Sequence, residues 1–282
     1  MSAAAAGTIR LGELEVSRLG YGAMRITGPG IWGEPADPDG AVAVLRRAVE
    51  LGVDFIDTAN SYGPGVSEEL IARALAFYGD VVIATKAGLT RSGPGAWSPN
   101  GRPEHIRSEL EGSLRRLRLE RIDLFQFHRP DPDVPFAESM GAFAAAQQEG
   151  KVRHIGLSNV SVAQLQEALL ICEIVSVQNR YSVSDRESQD VLEACTARGI
   201  AFIPWSPLAA GSHASAGGAL ERVARAHGAS SGQVALAWLL AASPMMLPIP
   251  GTSSVEHLEE NVGAGALSLS GAQLDELNSA AL

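Results

Sequence analysis

The chain has 282 residues, of which 46% are hydrophobic, 5% aromatic and 19% charged, with 30 Gly and 15 Pro. This composition excludes disorder, collagen and coiled coil, and a chain of this length buries a large core without staples. With 22 Lys+Arg against 32 Asp+Glu the net charge is −10, which disfavours a nucleic-acid binder and its basic face.

Residues 1–7 are alanine-rich, with no basic n-region and too short an apolar run for a signal peptide. Residues 8–11 and 13–16 flank Gly12 and predict a small hairpin. From there short apolar, β-branched runs alternate with longer helical patterns. The predicted strands are 19–22, 54–57, 81–85, 122–128, 152–157, 174–177, 200–204 and 246–249. The helical patterns preceding the second to eighth of them are 40–51, 68–77, 104–117, 137–149, 162–171, 188–197 and 231–241. A short helix at 255–262 and a terminal one at 271–280 complete the chain.

Strict alternation of buried strand and helix implies parallel strands and right-handed crossovers. Eight such units imply an α/β fold closed into a (β/α)8 TIM barrel. The hairpin is expected to plug the barrel bottom, with a C-terminal helix closing the chain. No composition shift marks a boundary, so one domain over 1–282 is expected, with 1–7 flexible. Cys172 and Cys195 make no disulfide framework. No stretch reaches the ~20 apolar residues of a membrane span. A cytoplasmic protein with no membrane and no nucleic-acid partner is expected.

Gly28-Pro-Gly-Ile-Trp-Gly33 matches G-x-G-x-x-G. A dinucleotide fingerprint needs those glycines to turn a strand directly into a helix N-terminus. Here residues 34–38 intervene, so the motif reads as a glycine-rich loop with Trp32 over the barrel mouth. Arg115, Arg116 and Arg118 read as a solvated helix end.

In such barrels the C-terminal strand ends and the loops after them carry the chemistry. The unusual polar residues fall there. Asp57 ends strand two, with Tyr62 in the next loop; Lys86 ends strand three and His128 strand four. Ser158 and Asn159 end strand five, Gln178 ends strand six, Trp205 follows strand seven, and Gly251, Thr252 and Ser253 follow strand eight. Each has an ordinary reading alone: a turn cap, a surface lysine, a hydrogen-bonded histidine. Together they suit acid catalysis on a carbonyl. A free phenol titrates near ~10, too high to donate readily at neutral pH. The Lys86 ammonium is expected to lower the Tyr62 value, Asp57 to hold Lys86 charged, and His128 to orient the carbonyl oxygen.

Gly52-Val-Asp-Phe-Ile-Asp-Thr-Ala-Asn-Ser-Tyr62-Gly, Ala84-Thr-Lys86, Ile122-Asp-Leu-Phe-Gln-Phe-His128, Gly156-Leu-Ser-Asn159, Val177-Gln-Asn179 and Ile249-Pro-Gly-Thr-Ser253 with Glu260-Asn261 resemble the aldo-keto reductases. The resemblance runs from Thr8 onward. It implies that Asp57, Tyr62, Lys86 and His128 are a catalytic tetrad. It implies that Ser158, Asn159 and Gln178 hold a nicotinamide carboxamide and that Trp205 stacks on the ring. Ser206, Leu208 and Gly211 would line the pyrophosphate, with Gly22 and Met24 on the ribose side. Gly251, Thr252, Ser253, His257, Glu260 and Asn261 would surround the adenosine. Many relatives carry Lys at Gly251 and Arg at His257, so hydroxyls and backbone amides would have to meet a 2′-phosphate here. NADP(H) is favoured, with NAD(H) not excluded.

Trp32 and Trp97 are candidate walls of an open substrate pocket. The opening Arg18-Leu-Gly-Tyr-Gly-Ala-Met24, with residues 28–33 and 251–261, is similar to bacterial members linked to pyridoxal reduction. The implied partner is a small-molecule carbonyl substrate, such as pyridoxal or another flat aromatic aldehyde. No histidine pair or Cys-x-x-Cys has metal-ligand spacing, so no metal is expected. The alternative is a cofactor-binding sensor or regulatory subunit of the same fold; an unrelated barrel enzyme is a third possibility.

Overall fold

The computed structural model describes residues 2–75, 78–208 and 218–279. Gly12, in the left-handed region at φ +62°, turns strand β1 (Thr8–Leu11) into its antiparallel partner β2 (Leu14–Ser17). Ile9, Leu11 and Val16 bury against Phe55, Val82, Leu124 and Ala201, which lie at or near the starts of barrel strands. The hairpin therefore plugs the bottom, as expected.

The chain then alternates through β3 (Tyr21–Gly22), α1 (Pro38–Glu50), β4 (Phe55–Asp57), α2 (Val66–Ala74) and β5 (Val82–Ala87). A second hairpin follows, β6 (Leu89–Gly93) and β7 (Ala96–Pro99). Next come α3 (Pro103–Leu117), β8 (Ile122–Phe127), α4 (Phe136–Gln148), β9 (Val152–Ser158), α5 (Val162–Leu169) and β10 (Ile174–Arg180). The rest is α6 (Gln189–Arg198), β11 (Ala201–Trp205), α7 (Ala219–His227), α8 (Ser231–Ala242), α9 (Val255–Gly263) and α10 (Gly271–Ser279). Seven parallel strands, in the order β3-β4-β5-β8-β9-β10-β11, form the main sheet. The architecture is the (β/α)8 barrel.

The expected eighth strand at 246–249 is not a regular strand. A single bridge joins Met246 to Phe202 of β11, and on the other side the Gly20 amide donates to Pro248 O at 3.0 Å. Pro248 and Pro250 have no N–H to give to a ladder, so a few isolated hydrogen bonds bring the sheet's two edges together. The first strand is likewise cut to Tyr21–Gly22.

Helix starts follow their caps. Asp37 accepts from the Gly40 amide with Pro38 in the first turn of α1, and Ser161/Gln164 and Ser230/Gln233 form capping boxes on α5 and α8. α1 begins only at Pro38, so the Gly28–Gly33 turn does not run directly into a helix, in agreement with its reading as a loop.

Two elements escaped the sequence reading. Helix α7 buries only Ala219, Leu220, Val223 and Ala224, a narrow stripe. The β6–β7 hairpin turns at Pro94-Gly95 and lacks an apolar alternation. The basic run also needs correction. Arg116 is not simply solvated: its Nε donates at 2.6 Å to Oε2 of the fully buried Glu68, whose Oε1 accepts from Thr85 Oγ1 at 2.6 Å. The ion pair compensates a carboxylate that would otherwise be costly to bury.

Candidate active site

Parallel strands bring residues distant in sequence to one rim. Asp57 is the last residue of β4, Lys86 lies near the end of β5, and His128 directly follows β8. Tyr62 stands in the loop after β4, where the Tyr62 amide closes a turn onto Ala59 O. Lys86 is completely buried. Its Nζ donates to Asp57 Oδ1 at 2.5 Å, to Thr58 O at 2.9 Å and to the Tyr62 hydroxyl at 3.3 Å. Asp57 Oδ2 accepts from Gln126 Nε2 and Gln178 Nε2, each at 2.9 Å. The tetrad therefore comes together around one buried ion pair with its remaining acceptor satisfied.

Gln126 was not foreseen. It points into the barrel from the middle of a run that reads as plain strand, and only its pairing with Asp57 shows what it does. Ser61 was also missed; its Oγ lies 3.4 Å from His128 Nδ1.

The electrostatics correct one expectation. Burial pushes the Tyr62 phenol up, and its opposition by Lys86 does not reverse this, so the phenol sits above its ordinary value rather than below it. Burial pulls Lys86 down, but Asp57 and Tyr62 outweigh it and the ammonium is held charged. His128 is driven well below its ordinary value, by burial first and then by Lys86 and Arg129. The site thus holds a protonated phenol, an ammonium and a neutral imidazole.

Beside the tetrad, Asn159 adopts φ +58° at the end of β9. Its Nδ2 donates to His128 O and to Ser158 Oγ, both at 2.9 Å, and its Oδ1 accepts from Trp205 Nε1 at 3.0 Å. Trp205 is thereby tied to the rim. Gln178 spends its amide protons on Asp57 and, at 3.3 Å, on Gln126 Oε1. It supports the carboxylate from the floor of the cavity.

A cavity of about 410 Å³ opens at this rim. Asp57, Tyr62, Trp97 and His128 line one side, Ser158, Asn159, Gln178 and Trp205 another, and Gly22, Met24, Ser206, Leu208 and Gly251 extend it. A second cavity of about 680 Å³ adjoins it, sharing Met24, Arg25, Ile31 and Gly251 and reaching Thr252 and Ser253. Gly22 and Gly251 approach so closely that a Cβ on Gly251 would fall 2.5 Å from Gly22 O. Arg25 is an exposed cation at the junction that the sequence reading passed over.

Trp97 lines the cavity, but Trp32 does not; Ile31, in the left-handed region at φ +57°, takes that place, and Trp32 is half-buried beside it. His257, Glu260 and Asn261 lie on α9, outside the lining of both cavities. His257 is exposed, Asn261 is buried, and Glu260 accepts from Ser230 Oγ. Gly211 lies outside the described residues.

A (β/α)8 barrel with this cluster at its C-terminal rim narrows the class. The chain belongs to the aldo/keto reductase family, whose model matches residues 18–281. It is 50% identical over 279 residues to an uncharacterized oxidoreductase of Schizosaccharomyces pombe, across 98% of this chain and 91% of the relative. It is 42% identical over 279 residues to the pyridoxine 4-dehydrogenase of Escherichia coli, across 96% of this chain and 97% of the relative. Among solved structures, an aldo/keto reductase from Klebsiella pneumoniae in complex with NADP and acetate aligns with a TM-score of 0.83 at 28% identity. That alignment covers 96% of this chain and 94% of the other.

Proposed function

We propose that this protein is an NADP(H)-dependent carbonyl reductase that converts an aldehyde or ketone to the alcohol, with Tyr62 as general acid. The observation that carries the reading is the Tyr62 hydroxyl, 3.3 Å from the buried Lys86 ammonium in a residue that lines the rim cavity. The two joined cavities suit an extended dinucleotide, with the Gly22–Gly251 approach at the waist and Arg25 as a cation for its phosphates. The Klebsiella relative bound to NADP supports the same choice.

NADPH supplies a hydride to the carbonyl carbon when it is bound. This chain's own residues do the rest. Tyr62 gives its proton to the developing alkoxide. A phenol that keeps its proton at neutral pH is a ready donor to so strong a base. Lys86 stabilises the phenolate left behind, and Asp57 with Gln126 and Gln178 keeps Lys86 charged and aimed. Ser61 Oγ lies 3.4 Å from His128 Nδ1; a neutral His128 that accepts there would carry its proton on Nε2, where it could hold the carbonyl oxygen. Trp97 makes a flat aromatic aldehyde the favoured substrate class, and the pyridoxine 4-dehydrogenase relative points to pyridoxal.

Tyr62→Phe removes the proton donor and leaves the cavities intact. Turnover of an aldehyde panel that includes pyridoxal is expected to fall by about 10³-fold. NADPH affinity, read by fluorescence titration, is expected to be unchanged. Undiminished turnover in this variant overturns the assignment, and NADPH binding without turnover in the wild type would favour a sensor.

A further inference from the structure

We infer that Arg91 is the positioning residue for the aromatic wall of the substrate pocket, an inference that rests on the carbonyl-reductase reading. Arg91 lies on β6, directly opposite Trp97 on β7. Its guanidinium spends every donor on backbone carbonyls. Nε donates to Ala96 O at 2.9 Å; Nη1 to Ile31 O at 2.8 Å and Ser61 O at 2.9 Å; Nη2 to Gly30 O at 2.9 Å and Gly93 O at 3.2 Å. Those carbonyls belong to three segments: the glycine-rich loop, the loop that carries Tyr62, and the hairpin itself. No carboxylate lies within ion-pair distance of it among the described residues.

The same guanidinium lies over the Trp97 indole, 3.5 Å from the ring centroid, and 5.7 Å from the Trp32 ring. Trp97 in turn meets Tyr62 and His128 edge-on, each at 6.4 Å between centroids. Arg91 therefore links the acid's loop and the aromatic wall through one planar fork. The hairpin has little apolar content of its own to hold it in place. A planar, five-donor group satisfies this geometry and an ammonium with three rotating donors does not. Arg91 is absent from the cavity lining, so it acts on the substrate through Trp97.

The test uses Arg91→Lys, Arg91→Met and Trp97→Ala in the full chain, with benzaldehyde and propanal as substrates. For both Arg91 variants KM for benzaldehyde is expected to rise by about tenfold or more, with kcat changed by less than about threefold. Propanal, too small to need the wall, is expected to keep its kcat/KM, and NADPH affinity to hold. Trp97→Ala is expected to show the same loss, and the Arg91→Met/Trp97→Ala double variant no further loss. Unchanged benzaldehyde kinetics in Arg91→Met, or equal losses for both aldehydes, overturn the inference. So does lost NADPH binding, which would make Arg91 a general brace of the barrel mouth. If the wild type reduces neither aldehyde, the carbonyl-reductase reading falls. Benzaldehyde quenching of tryptophan fluorescence then decides Arg91: weaker binding in Arg91→Met supports the inference, and equal binding sinks it.

Discussion

Tyr62 and His128 show how much one side chain's surroundings decide. An ammonium nearby favours a phenolate, and an ordinary histidine is partly charged at neutral pH. Burial overrides both tendencies here: the phenol is raised and the imidazole lowered well below its ordinary value of 6.5. Falling pH does not charge His128 until well under 6.5, and rising pH does not strip Tyr62 near neutrality. For the reduction, kcat/KM is therefore expected to be flat from about pH 6.5 to about pH 9, measured under steady state with saturating NADPH. An ionisation with a midpoint inside that window would contradict the neutral imidazole or the protonated phenol. The same depression makes His128 a source of acid lability: the unfolded chain takes up a proton at ordinary histidine pKa and the folded one does not, so this contribution is lost as pH falls below 6.5.

Among the elements, the two hairpins do opposite work at opposite ends of the barrel. The β1–β2 hairpin is apolar inward and closes the bottom with Ile9, Leu11 and Val16. The β6–β7 hairpin is polar and is held at the mouth by hydrogen bonds and by Arg91 stacked on Trp97. Leu11→Ala is expected to cost about 2–5 kcal/mol of stability, as for other fully buried leucines, with substrate KM unchanged because the plug is remote from the rim. Urea unfolding and steady-state kinetics read the two quantities separately; a raised KM would show that the bottom plug is coupled to the site. The first hairpin was legible because Gly12 and the alternation of apolar residues announce it. The second was not, because its register depends on a guanidinium–indole stack and on carbonyls from distant loops.

For the whole molecule, the net charge of −10 contrasts with a mouth where Arg25 and Arg129 line the cavity and Lys86 lies beneath it. Among the described residues of that lining the one carboxylate, Asp57, is already bound to Lys86. An anionic dinucleotide thus meets local positive charge on an acidic protein, at a rim whose strands belong to one continuous sheet. NADPH at about 100 times its Kd is expected to stabilise the fold by about 2.7 kcal/mol, seen as a rise in Tm of several degrees. Equal concentrations of an unrelated dinucleotide should give no such rise. A Tm that does not respond to NADPH would remove the cofactor from the proposed function.

Strand order, barrel class and the tetrad were written in the order of residues, because a βα alternation allows essentially one closure and that closure sends every strand end to the same rim. Packing alone settled the rest. Proline-interrupted backbone replaced the eighth strand with one bridge to β11 and one hydrogen bond from Gly20. Ile31 rather than Trp32 came to line the cavity because a left-handed residue reverses the loop there. Gln126, Arg25 and Arg91 acquired meaning only from neighbours far along the chain. Desolvation, which depends on everything packed around an atom and on no local pattern, set the protonation of Tyr62 and His128.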